Sequence, residues 1–192
     1  MTQEPLPHWD LSNVFPGLES DEFAKAVSKL GEKLDALDVH LDAHQIAREG
    51  LLSGDPSELS AIIAGYLDRM NGILELYGTL EAYLYSFMST DSYNTTARRL
   101  MSEVEPLGVR LERQEVRFRG WIGRLAQDAG RFQQVLALEG PASEHAFYLQ
   151  EAAEQSRFIM SEAEEAHGAE LAMSGIRAWS KMQEVVTTHL KV

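Results

Sequence analysis

Nine apolar residues of this chain, Leu59, Ile63, Tyr66, Met70, Ile73, Tyr77, Leu80, Leu84 and Phe87, follow one another in alternating steps of four and three. That rhythm keeps every side chain on one stripe of a 3.6-residue helix and predicts an amphipathic helix about eight turns long. A stripe of that length must be covered by other helices, because nothing else in the sequence has a matching surface. The start of the helix is also legible. Asp55 reads as the N-cap, Pro56 as the first helical residue and Glu58 as the residue that closes a capping box. Gly65, Gly72 and Gly78 lie inside the segment. Each costs about 1 kcal/mol against alanine in a helix interior, so close backbone packing is expected there.

A third long helix follows the turn "STDSYN", on Leu100, Val104, Leu107, Leu111, Gln114, Phe118, Trp121 and Leu125. It has one polar break at Gln114 and a kink is expected at Pro106. The first helix is read from the N-cap Ser20 to about residue 45, on Phe23, Val27, Leu30, Leu34, Leu37 and Leu41, with Asp21 and Glu22 in its first turn. Before it, residues 1–19 form a proline-rich extended lead whose Leu6, Trp9, Leu11, Val14 and Phe15 are expected to pack on the helices. Two shorter helices are expected around 131–138 and 142–157, separated by "EGPAS". A last one, capped by Ser161 with Glu164, runs from about 162 to the high 180s. "THLKV" at the end has the makings of a strand. The fold class is therefore all-α: one domain over residues 1–192, with helices from residue 20 onward, in which about six helices form long antiparallel hairpins and a bundle.

Composition limits what such a bundle can do. There is no cysteine, so disulfide and thiolate chemistry are absent. No basic and apolar leader opens the chain, and no apolar run approaches the roughly 20 residues of a membrane span. A cytoplasmic location is expected. The net charge of −13 predicts repulsion from nucleic acid and anionic lipid. One band departs from it: residues 98–131 carry 8 basic and 5 acidic side chains, a local charge of +3.

Three constellations have the residue types of a site. "VHLDAHQ", residues 39–45, puts His40 and His44 on one helical face, as zinc peptidases do. The zinc-peptidase motif, however, needs glutamate directly after the first histidine as general base, and Leu41 stands there. No His-Glu pair occurs anywhere in the sequence. A solvent-facing pair without metal is the expectation. Glu164 and His167 make one Glu-x-x-His, the spacing that di-iron bundles use twice, but the second copy is missing. The basic band holds Arg110, Arg113, Arg117 and Arg124, with Arg98 and Arg99 upstream. Guanidiniums so spaced can grip an acidic peptide or a phosphate; facing acidic neighbour helices, or a solvated face, is the expectation, and interleaved Glu112 and Glu115 weaken any single-sign patch. No phosphate loop or nucleophile elbow is present, so no catalytic residue is assigned.

Three segments resemble the oligoendopeptidase F-type zinc metallopeptidases, of the thimet oligopeptidase-like superfamily. "WDLSNVFPGLESDEF", residues 9–23, resembles their opening Trp-Asp-Leu-Ser and acidic first helix. "LYGTLEAYLYSFMSTDSYNTTA" is similar to their tyrosine-containing helix and Asp-Thr-type turn. "MSEAEEAHGAELAMSGIRAWSKMQEVVTTHLKV", residues 160–192, resembles their Leu-Ser-x-x-Glu-Glu, Gly-x-x-Ala-Trp and Thr/Ser-x-Leu-x-Val run. The matching places are Ser161, Glu164, Glu165, Gly175, Ala178, Trp179, Thr188, Leu190 and Val192, with Met160 in place of leucine.

The resemblance implies a domain that precedes the catalytic half of such an enzyme. It would wall the substrate channel and restrict access to short peptides. Zinc, His-Glu-x-x-His and the later glutamate ligand belong to the parent's catalytic domain; no cofactor and no metal ligand are expected in this chain, which should be inactive alone. The apolar ending "TTHLKV" fits a chain that continues. The implied partners are that catalytic domain and, in the parent enzyme, short peptides. A surface normally covered by the missing half leaves room for a homodimer. The alternative expectation is a stand-alone helical interaction module with no peptidase role.

Overall fold

The computed structural model describes residues 10–50 and 52–189. The chain is all-α. Three long helices lead, α1 (Asp21–Ala43), α2 (Pro56–Thr90) and α3 (Thr95–Gln127). Then come α4 (Ala129–Ala137), the single turn α5 (Pro141–Glu144), α6 (Ala146–Gln155) and a 3-10 turn, Ser156–Phe158. A terminal hairpin of α7 (Glu162–Ser174) and α8 (Ile176–His189) follows. No strand occurs among the described residues. The described part of "THLKV", Thr188 and His189, is helical, and its remainder lies outside the described residues. Among the described residues no helix is long and apolar enough to cross a membrane.

The caps read from the sequence are formed. The Ser20 hydroxyl accepts from the Phe23 N–H at 3.2 Å. Asp55 with Glu58 and Ser161 with Glu164 both close capping boxes. The C-terminus of α1 has a stop that lacked any glycine or asparagine signal. Gln45 takes a left-handed φ of 51°, Ile46 N–H donates to the Leu41 carbonyl at 2.7 Å, and Gln45 N–H to that of Asp42 at 3.1 Å. This is a Schellman motif with glutamine in the position that glycine usually fills.

The three long helices share one core. Lys33 near Gly72, His40 near Gly65 and Phe23 near Tyr83 set α1 antiparallel to α2. Tyr66 on Phe118 and Tyr77 on Gly108 set α2 antiparallel to α3. At the centre the Tyr66 and Phe118 rings stack at 3.6 Å, with Trp121 beside Phe118. The polar break at Gln114 is fully buried, and its amide N–H donates to the Leu34 carbonyl at 2.9 Å, tying α3 to α1. The extended lead packs as expected at Phe15, which is buried edge-on to Phe23 and Tyr83 and accepts from the Tyr83 hydroxyl at 3.2 Å. Leu11 packs against the same core, whereas Val14 is exposed. Leu6 and Trp9 lie outside the described residues.

Two expectations need correction. The last helix is two, because Gly175 (φ −93°, ψ −110°) turns the chain out of helical geometry. The helix expected at 142–157 is likewise divided, at His145, into α5 and α6. Pro106 lies inside α3, on its exposed side. Of the three α2 glycines, only Gly65 meets a close and confined neighbour: a Cβ there would lie 2.8 Å from Cε1 of His40. Gly72 faces only the flexible tip of Lys33, and Gly78 faces open space. The tighter approaches are on α3. A Cβ at Gly108 would strike the Tyr77 ring, and one at Gly123 would lie 1.8 Å from Ser156 Oγ and 2.4 Å from its Cβ.

These contacts give opposite expectations for one substitution. Gly78→Ala should stabilise the fold by about 0.5–1 kcal/mol, because the exposed helix gains propensity and meets nothing. Gly123→Ala should destabilise it by about 1–3 kcal/mol, because α3 and the turn after α6 must separate. Urea denaturation midpoints at unchanged slope check both; equal effects at the two positions would contradict the packing.

Candidate functional site

Helix α3 carries the site residues that the sequence singled out, and its helical phase sorts them. Arg110, Arg117 and Arg124 are seven apart and share one face, which Arg131 at the start of α4 continues. The row faces α1 and the linker that joins α1 to α2. Arg110 pairs with Asp35 at 2.6 Å and with Asp38, to which its Nε donates at 2.9 Å. Arg117 donates to Asp42 at 2.7 Å and to the Ile46 carbonyl at 3.2 Å. Arg124 donates to the carbonyls of Arg48, at 3.0 Å, and Gly50. Arg131 donates to those of Leu52, at 3.1 Å, and Gly54. Arg48 in turn donates to the Met160 carbonyl at 2.6 Å.

The row is thus a clasp. Arg117, Arg124 and Arg131 satisfy main-chain carbonyls of a linker whose described residues are neither helix nor strand. The acidic-neighbour reading of the band holds for Arg110 and Arg117. The sequence reading omitted Arg131 and the main-chain carbonyls. The seven-residue spacing of 110, 117, 124 and 131 was the signal that would have included Arg131.

Arg113 points elsewhere and pairs with Glu170 of α7. It borders a cleft of about 680 Å³ between α1, α3 and α7, where Glu115, Arg119, Glu165 and Ala169 also stand. Burial pushes the Glu115 carboxyl above its usual range, the positive charge of Arg119 opposes this, and Glu112 adds to it. Behind Glu115, the Tyr66 hydroxyl is buried next to that of Tyr148. Burial drives its pKa well above the ordinary value, and Tyr148 and Glu115 reinforce the effect. The cleft offers mixed charge and can hold polar groups by ion pairing.

The histidine pair differs from expectation. His44 is exposed, but His40 is buried. Its Nε2 lies 3.1 Å from the Ile62 carbonyl and its ring meets that of His44 edge-on at 4.7 Å. His40 flanks the Leu37–Leu41 stripe, and the missing side chain of Gly65 opens the space its ring fills. Burial lowers its pKa below 6.5; the Ile62 carbonyl opposes this, and the charge of Arg69 and neighbouring His44 add to it. The Glu-x-x-His acid is engaged as a cap: Glu164 accepts from the Ser161 N–H at 3.0 Å and hydroxyl at 2.6 Å, while His167 is exposed. Among the described residues no group of three or more metal-ligating side chains is assembled.

The terminal hairpin is turned inside out relative to an ordinary surface helix. On α8, Arg177 and Lys181 face the bundle, paired with Glu112 and Glu105 of α3. The opposite stripe, Ile176, Trp179, Met182 and Val186, faces solvent, with Ile176 78% and Trp179 67% exposed. Leu171 of α7 adds to it. No family model, curated protein or solved structure significantly matches the chain.

Two measurements follow from the clasp and the buried histidine. Arg124→Gln should cost about 1–2 kcal/mol by freeing two carbonyls. Amide exchange in residues 46–54 should rise before that of α2; unchanged protection there would show the clasp to be inert. Because folded His40 binds a proton less readily than in the unfolded chain, its contribution to stability is complete above pH 6.5 and falls as pH drops through that value. His40→Gln should flatten this slope in urea midpoints recorded between roughly pH 5 and 8.

Proposed function

We propose that this chain is a non-catalytic helical domain of a cytoplasmic zinc metallo-oligopeptidase, walling its substrate channel and restricting access to short peptides. The resemblance of residues 9–23, 76–97 and 160–192 motivates the reading. The observation that carries it is the inverted hairpin. The segment with the longest resemblance is also the one whose apolar stripe, Ile176, Trp179, Met182 and Val186, has no cover among the described residues. A stripe of this kind suits a large, constant partner surface better than water. The proposed occupant is the catalytic domain that holds the zinc.

The mechanism is steric. Rigid long helices narrow the approach to the metal, so that a flexible peptide passes and a folded protein does not. Arg110, Arg117 and Arg124 contribute to rigidity, since acceptors within the chain already engage their guanidiniums. Arg113, which pairs with Glu170, stands beside the open cleft, where a peptide carboxylate would have to compete with that glutamate. The second reading, a stand-alone helical interaction module, draws on the same exposed stripe and requires a different partner.

The chain alone should not hydrolyse quenched fluorescent oligopeptides, with or without zinc. Metal-dependent turnover by a homogeneous sample would refute a purely steric role. The natural reading frame beyond codon 192 should encode His-Glu-x-x-His; a frame without it favours the interaction module.

A further inference from the structure

A second cavity lies at the end of the bundle where α2 finishes and α3 begins, with α8 over it. It measures about 430 Å³, within the range of small-molecule pockets. Its apolar wall is Met88, Met101 and Val185, its polar side holds three serines, and the charged side chains that line it among the described residues are Arg98 and Lys181. Among the described residues no carboxylate lines it, in a chain with 30 acidic and 17 basic residues. The α3–α7 cleft, by contrast, is lined by Asp38, Glu112, Glu115 and Glu165.

The two cations differ in their engagement. Lys181 pairs with Glu105, which uses one of three ammonium donors. Arg98 is half-buried and makes no ion pair among the described residues, whereas its neighbour Arg99 pairs with Glu103 and Glu19. A guanidinium presents two parallel N–H groups that match the two oxygens of a carboxylate. The methionines beside it are polarisable and unbranched, and adapt to aliphatic chains of different shape.

We propose that this cavity binds an aliphatic monocarboxylate. Its oxygens pair with Arg98, with Lys181 alongside, and its chain lies over Met88, Met101 and Val185. The inference rests on the lining of the cavity and is independent of the peptidase reading. A fatty acid and the C-terminal end of an apolar peptide share this chemistry.

Isothermal titration of the full chain with decanoate should show saturable one-to-one binding that weakens with salt. Decyltrimethylammonium, with the same tail and the opposite charge, should not compete. Arg98→Gln should weaken decanoate by about tenfold or more while leaving the far-ultraviolet circular dichroism unchanged. Met88→Glu, which sets a carboxylate against the ligand's own, should do the same from the other wall. Trileucine as free acid and as amide then identifies the source. Preference for the acid over both the amide and decanoate assigns a peptide C-terminus, and preference for decanoate assigns a fatty acid. Absence of saturable binding by both acids, equal binding of the ammonium amphiphile, or indifference to both substitutions would overturn the proposal.

Discussion

Helix α3 packs against more of its neighbours than any other helix, and the constraint that organises the rest is that one helix must satisfy four of them at once. Its apolar face, Leu111, Phe118 and Leu125, closes the core against α2. Gln114 on the same stripe, and Arg110 and Arg117 a quarter-turn away, reach α1. On the far side Gly123 lets the turn after α6 approach within contact of the backbone. Glu105, Glu112 and Arg113 hold the terminal hairpin. A helix placed this way cannot rotate without breaking contacts on all sides, which is what makes it a rigid strut.

The clasp and the hairpin show two uses of the same charge. In the clasp, guanidiniums are drawn onto main-chain carbonyls and stand in for secondary structure over a linker that would otherwise leave them to water. In the hairpin, cations turn inward to two glutamates of α3, and that choice sends the apolar stripe outward. Exposed ion pairs are individually worth little. The hairpin is therefore the loosest attachment in the structure by the physics of its contacts, and a partner that covers its stripe would fix it in place. The aliphatic-acid cavity sits under the same helix, so its roof depends on that attachment too.

Much of the fold was legible because its signals are local. The three long stripes, the caps at Ser20, Asp55 and Ser161, and the all-α class follow from spacing and from side chains that act within one turn. The break at Gly175 was less legible, since glycine inside a helical pattern is compatible with both continuation and a stop. The stop after α1 was hidden, because Gln45 takes a backbone conformation that its residue type does not advertise. Within the candidate site, residue types pointed to acidic partners and missed carbonyl partners. A sequence displays its charges, but not which stretch of main chain will be left unpaired beside them.

By itself, then, the order of residues determined helices, their apolar faces, the absence of thiol chemistry and the absence of a His-Glu pair. These depend on nothing further away than the next turn. Tertiary structure alone decided that His40 is buried over Gly65, that Gln114 crosses to the Leu34 carbonyl, that the arginine row closes on a linker, and that α8 turns its apolar stripe to solvent. Each of those depends on which helix lies opposite and at what rotation, a choice made by packing the whole core at once.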